Sequence, residues 1–149
     1  MGNRDVICNL SVLVIRYDYK RSPDPQSLIP NPIAMSVNHK NEPWVFFKDI
    51  EGEAAAPGVT RKVLSYCDEL MAVVNEFEEG AIGAMHSHPH TQITYVAEGR
   101  FRFTIGEEEK EVGKGDTLCK RNGVRHGCVC LEKGVLVDFF TPMREDFII

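Results

Sequence analysis

Residues 80–99 read GAIGAMHSHPHTQITYVAEG, and the way this stretch is parsed decides what kind of fold the chain has. His86, His88 and Gln92 stand at even spacing, with a glycine at each end of the segment. On a β-strand, residues two apart point to the same face, so one face would present all three side chains together. A helix would scatter them. A lone His-x-His on a strand is equally compatible with a half-buried structural pair and with a metal site. The rest of the chain has to decide.

Outward from this segment, short β-rich runs recur from Val59 onward: RKVLSY (61–66), LMAVVNEF (70–77), QITYVAE (92–98), RFRFTIG (100–106), DTLCK (116–120), GCVCLE (127–132) and VLVDFFT (135–141). Turn residues punctuate them at Asp68-Glu69, Glu79-Gly80, Glu98-Gly99, Gly106, Gly113-Lys114-Gly115, Asn122-Gly123 and Lys133-Gly134. No run carries a helical period. Many short strands at even spacing predict an all-β barrel or sandwich, and small antiparallel barrels enclose a cavity that holds one ligand.

The segment before Val59 has a different texture. VLVIRYDYK (12–20) alternates as a strand does, and RSPDPQSLIPNPIAM (21–35) carries Pro23, Pro25, Pro30 and Pro32, which favour an extended linker. We therefore divide the chain into an N-terminal extension, 1–58, and a β-barrel domain, 59–149, with Met35 a second candidate start. The apolar run Val6–Ile15 is interrupted by Asn9 and Ser11 and is too short to span a bilayer.

Composition narrows the function. Hydrophobic residues make up 43% and charged residues 26%, the balance of a soluble globular domain. With 17 Lys and Arg against 22 Asp and Glu the net charge is −5, and no basic run suggests a nucleic-acid or membrane partner. Five cysteines, Cys8, Cys67, Cys119, Cys128 and Cys130, form no CxxC pair, so a reducing, cytoplasmic setting is expected. Cys128 and Cys130 read as small apolar fillers. Arg100 and Arg102 alternate with Phe101 and Phe103, a solvated face over a core face, and Glu107 to Glu109 form a charged hairpin tip.

The spacing of the glycines and histidines resembles the two-part signature of the cupin superfamily. In the first part Gly80, His86, His88 and Gly99 fall at the family positions, with Gln92 where an acid is usual; in the second, Gly115, Gly123 and His126 match, with Arg121 for Pro and Cys130 for Asn. The resemblance implies a single-domain cupin, a small antiparallel β-barrel or jelly roll. It also implies one divalent metal ion (Mn, Fe, Ni or Zn) held by His86, His88, Gln92 and His126. Such a ligand set is neutral, so the ion keeps its full charge and favours an anionic, oxygen-rich ligand. His90, next to Pro89, is read as a pocket-edge residue, and His39, in the polar NHKNEP segment, as solvated.

The last strand, VLVDFFT, is apolar on both faces except for Asp138, so its outside is expected to be covered by the N-terminal segment or by a second subunit in a homodimer. Asp138 has two readings: a buried carboxylate tuned as an acid or base, or a rim residue paired with Arg144. VTRKVL, HSHPHTQITYVAEG, FRFTIGEEEKEVGKGD and VDFFTPMREDF are similar to the small cupins of pectin degradation, over about residues 59–149. Those enzymes convert 4,5-unsaturated uronates, small anionic sugar acids, into open-chain keto acids. The resemblance implies catalytic roles for Asp138, Phe140 and Arg144. An iron-dependent cupin dioxygenase and a non-catalytic sugar-acid-binding cupin are the alternatives.

Overall fold

Alternation of apolar and polar residues becomes eight antiparallel strands in the computed structural model, which describes residues 39–148. They are β1 Glu53–Ala56, β2 Val59–Tyr66, β3 Met71–Phe77, β4 Ile82–His86, β5 Thr91–Ile105, β6 Glu108–Gly113, β7 Thr117–Lys120 and β8 His126–Thr141. The expected strand at 12–20 and the linker at 21–35 lie outside the described residues. Within them the helical content is two single 3-10 turns, Phe47–Asp49 and Glu145–Phe147, and no helix is long and apolar enough to cross a membrane.

Two strands are much longer than expected. Glu98-Gly99 and Lys133-Gly134 do not end strands: β5 and β8 run through them, paired from Thr91↔Thr141 to Ile105↔His126. The register slips three times between Val96 and Phe101, and the buried positions of β5 switch there from Gln92, Thr94 and Val96 to Phe101 and Phe103. An ideal Cβ on Gly99 would lie 2.6 Å from the Glu132 carbonyl, and one on Gly134 would strike the Glu98 carbonyl. Only glycines let the two backbones cross this closely, so the residues that read as turns are a bulged corner.

The corner divides the sheet. Beyond Gly134, β8 pairs with β3, while the Thr91–Val96 half of β5 adds β7; before it, β8 pairs with β4, while the Arg100–Ile105 half of β5 adds β6. Two sheets thus share one continuous strand pair, which closes a small all-β barrel. Arg100 and Arg102 face solvent over Phe101 and Phe103, as their alternation indicated.

The barrel interior is not uniformly apolar. Val96, Phe101, Phe103, Cys128, Cys130 and Leu136 belong to one buried cluster, and Tyr66, Met71, Val73 and Phe140 form another. Along the inward face of β8, Asp138 falls between Leu136 of the first and Phe140 of the second. Gln92, Thr94, Lys120 and His126 are buried with it. His39 departs from expectation: its Nε2 lies 2.7 Å from the Leu64 carbonyl and its ring meets Tyr66 edge-on, so it is half-buried rather than solvated.

Candidate metal centre and its carboxylate partner

β4 ends at His86 and β8 begins at His126, and the two are register partners. His86 Nδ1 lies 2.7 Å from the Ala84 carbonyl and His126 Nδ1 lies 2.9 Å from that of Val124. A ring nitrogen beside a carbonyl carries the proton, so both imidazoles turn a bare Nε2 lone pair the other way. The turn at Gly123, held in the left-handed region at φ 75°, donates its N–H to the His88 carbonyl at 2.9 Å. That bond ties the His126 turn to the loop carrying His88.

One nitrogen from each of His86, His88 and His126 falls within 4.8 Å of the others. His126 Nε2 and His88 Nδ1 are buried and have no hydrogen-bond partner among the described residues. Buried polar atoms are rarely left so, although His90 Nδ1 is left the same way, and three imidazoles brought this close together are chemically suited to a divalent transition metal. Burial pushes the His126 imidazole down to about 4, helped by Lys120, His86 and His88, and burial followed by Arg144 lowers His88. Both rings are therefore neutral near pH 7, the form that ligates metals. His90 stands to one side, 5.4 Å from the His88 ring.

Gln92 joins this cluster to a second one. Its Oε1 lies 3.1 Å from His88 Nε2, and its Nε2 donates to Asp138 Oδ1 at 2.6 Å. Turned the other way, the amide would set oxygen against carboxylate, so the orientation follows from its neighbours. Asp138 Oδ1 also accepts from the Thr94 hydroxyl, which in turn accepts from Lys120 Nζ; Asp138 Oδ2 accepts from Asn75 Nδ2 at 2.8 Å. Asp138 is only 5% exposed, and Arg144 forms its carboxylate pair with Asp146, so the rim salt bridge between Asp138 and Arg144 is not found.

His86, Gln92, His126, Asp138, Phe140 and Arg144 line one cavity of about 300 Å³, and His88 reaches it through Gln92 and the Phe140 ring, 5.7 Å away. Among the further lining residues that the sequence did not single out are Asn75, Lys120, Arg61 and Phe147. Lys120 is 1% exposed, and burial lowers its ammonium, opposed by Asp138 with Nζ 4.0 Å from Oδ1. Its only signal in the sequence is a lysine at the end of an apolar strand, indistinguishable there from a solvated one. Cys128 and Cys130 are buried fillers, and burial pushes the Cys128 thiol up to about 12.

The profile of the family described as Cupin domain matches residues 73–140. The pectin degradation protein KdgF of Dickeya dadantii is 42% identical over 98 residues, which cover 64% of this chain and 89% of that protein. A crystal structure of an RmlC-like cupin from Shewanella frigidimarina superposes with a TM-score of 0.71 at 38% identity, covering 74% of this chain and 99% of that one. The structure of KdgF from Halomonas sp. gives a TM-score of 0.67 at 32% identity, with 70% and 96% covered.

Proposed function

We propose, from the premise that this chain belongs to the cupin family, that it is an enzyme opening the ring of 4,5-unsaturated uronates during polyuronate breakdown. The observation that carries the proposal is the continuous link from the histidine cluster through Gln92 to the buried Asp138. A cation site and a proton carrier on one cavity would meet what hydration of an enol ether beside a carboxylate requires, and this link supports that reading. The two relatives named KdgF, one of them described as a pectin degradation protein, direct the choice of substrate class.

In this reading His86, His88, Gln92 and His126 would hold one divalent ion, Mn, Fe, Ni or Zn. When bound, such an ion supplies Lewis-acid polarisation of a substrate oxygen. Asp138 relays the proton: it takes one from the water whose hydroxyl adds at C5 and passes one to C4. When the ring C5–O bond of the hemiketal breaks, the C5 hydroxyl gives up its proton as the ketone forms and the departing ring oxygen takes one up. Asn75, Thr94 and Gln92 hold the carboxylate in one orientation throughout. Phe140, 3% exposed inside the cavity, walls the sugar ring. Arg144 contributes a cation at the mouth for the substrate carboxylate.

We further propose a cytoplasmic setting and a homodimer. The four cysteines among the described residues, Cys67, Cys119, Cys128 and Cys130, are free, which suits a cytoplasmic protein. Ile93 and Tyr95 on β5 are exposed opposite Phe139 and Val137 on β8, an apolar outer row that suits a homodimer. The ring-opening proposal is tested by mixing 4,5-unsaturated galacturonate with metal-loaded protein and following the ring protons by NMR. Opening well above the spontaneous rate is expected. Equal rates with and without protein refute it.

A further inference from the structure

Two guanidinium groups share one aromatic ring at the mouth of the cavity. Arg61, on β2, has its Cζ 3.8 Å from the centroid of the Phe147 ring, and Arg144 has its Cζ 4.2 Å from the same centroid. The two positive charges therefore lie within about 8 Å of each other, and both arginines line the cavity that contains Asp138 and the histidines. Their donors are used very differently. Arg144 gives Nε and Nη2 to the two oxygens of Asp146, at 2.8 and 2.7 Å, so its paired edge is spent on a residue of its own chain. That contact holds the Asp146 carboxyl below its usual range.

Arg61 touches a carboxylate only through Nη1, 3.4 Å from Glu53. Its Nε is buried and has no hydrogen-bond partner among the described residues. Phe147 holds the guanidinium at 3.8 Å, and a guanidinium whose Nε is left unpaired keeps the edge that takes a carboxylate through two parallel hydrogen bonds.

We infer that Arg61, rather than Arg144, supplies the paired donors that bind the carboxylate of the substrate, while Arg144, locked by Asp146, acts as a fixed charge beside it. The inference deepens the proposed function, on which it rests for the identity of the sugar acid. Arg61 is then a specificity-determining residue that separates uronates from neutral sugars.

The test is a calorimetric titration of the full-length, metal-loaded protein with galacturonate, a saturated uronate that cannot undergo the reaction, and with its methyl ester. Arg61→Met is expected to weaken galacturonate about 10- to 100-fold, the range of a hydrogen bond to a charged group, and to leave the ester within about twofold, as for a contact made to the charge alone. Arg61→Lys keeps a cation over Phe147 without the fork and is expected to show the same selective loss, guarding against a folding defect in the first variant. An equal loss for acid and ester, a larger loss in Arg144→Met than in Arg61→Met, or no binding of galacturonate to the wild type overturns the inference. The NMR assay of ring opening is read separately. Its failure removes the proposed reaction, and the acid-against-ester difference still decides the role of Arg61.

Discussion

The two halves of the cavity are built in opposite ways. The imidazole half takes His86, His88 and Gln92 from seven consecutive residues and completes itself with His126, the register partner of His86. Backbone carbonyls two residues upstream orient two of its rings. The carboxylate half draws Asn75, Thr94, Lys120 and Asp138 from β3, β5, β7 and β8. Nothing local orients these four: each is aimed by the pairing of its strand, and they meet only because the barrel closes. The first half is specified by chain geometry, the second by packing, and Gln92 is the single side chain that belongs to both.

The largest expected effect breaks the halves apart. His126→Ala should lower metal affinity by more than about 10²-fold, since even residues that merely orient a ligand contribute 10- to 100-fold. Asp138→Asn should leave the metal content of purified protein unchanged and lower kcat by about 10²- to 10⁴-fold, the range of one acid/base group. Elemental analysis together with the NMR ring-opening rate reads both. Loss of metal in Asp138→Asn would show that the carboxylate half holds the imidazole half in place, and that the division is wrong.

The same difference explains what could be read from the sequence. His86, His88, Gln92 and His126 were legible because their spacing is local to the chain and framed by glycines at fixed offsets, although the single strand expected for the first three is broken: β4 ends at His86, His88 lies in the loop and Gln92 is on β5. The inward placement of Asp138 was legible as parity on β8, shared with Leu136 and Phe140, although its partners were not. Lys120 and Asn75 are polar residues near the ends of strands, where solvent is the ordinary expectation, and only the crossing of the shared strand pair turns them inward. Glu98-Gly99 and Lys133-Gly134 misled for a related reason. Glycine is needed both where a chain turns and where two backbones touch, and the sequence does not say which. Arg61 was hidden because its neighbour Phe147 sits 86 positions away in the chain.

A smaller effect concerns the imidazole half without its ion. His126 in the folded protein titrates at about 4, well below an ordinary histidine at 6.5. Above pH 6.5 the ring is neutral in both folded and unfolded chains, and stability from this source is complete. As the pH falls from 6.5 towards 4, the unfolded chain takes up the proton first, and stability is lost. The cost is about 2 kcal/mol at pH 5 and about 3 kcal/mol at pH 4. Urea denaturation of chelator-treated protein at pH 7 and pH 5 measures it. His126→Gln should show a shallower loss over that interval, and an identical slope in the two proteins would locate the pH dependence elsewhere.

The smallest and most discriminating change is Gln92→Glu, which alters one atom at the residue where the halves join. A glutamate would lend the cation site a negative charge, so metal affinity should rise or hold. The same change deletes the amide N–H that Asp138 Oδ1 accepts at 2.6 Å and sets a second carboxylate against the first. Losing a hydrogen bond to a charged group costs about 1.5 kcal/mol or more, so kcat should fall about tenfold even as the metal is held as well or better. Both quantities come from one preparation, by competition with a metal chelator and by the ring-opening rate. If both rise together, Gln92 serves the ion alone and the carboxylate half orients itself. If the metal is kept and the rate falls, glutamine stands at this position because its amide is the one group that offers an oxygen to a cation and a proton to an anion at once.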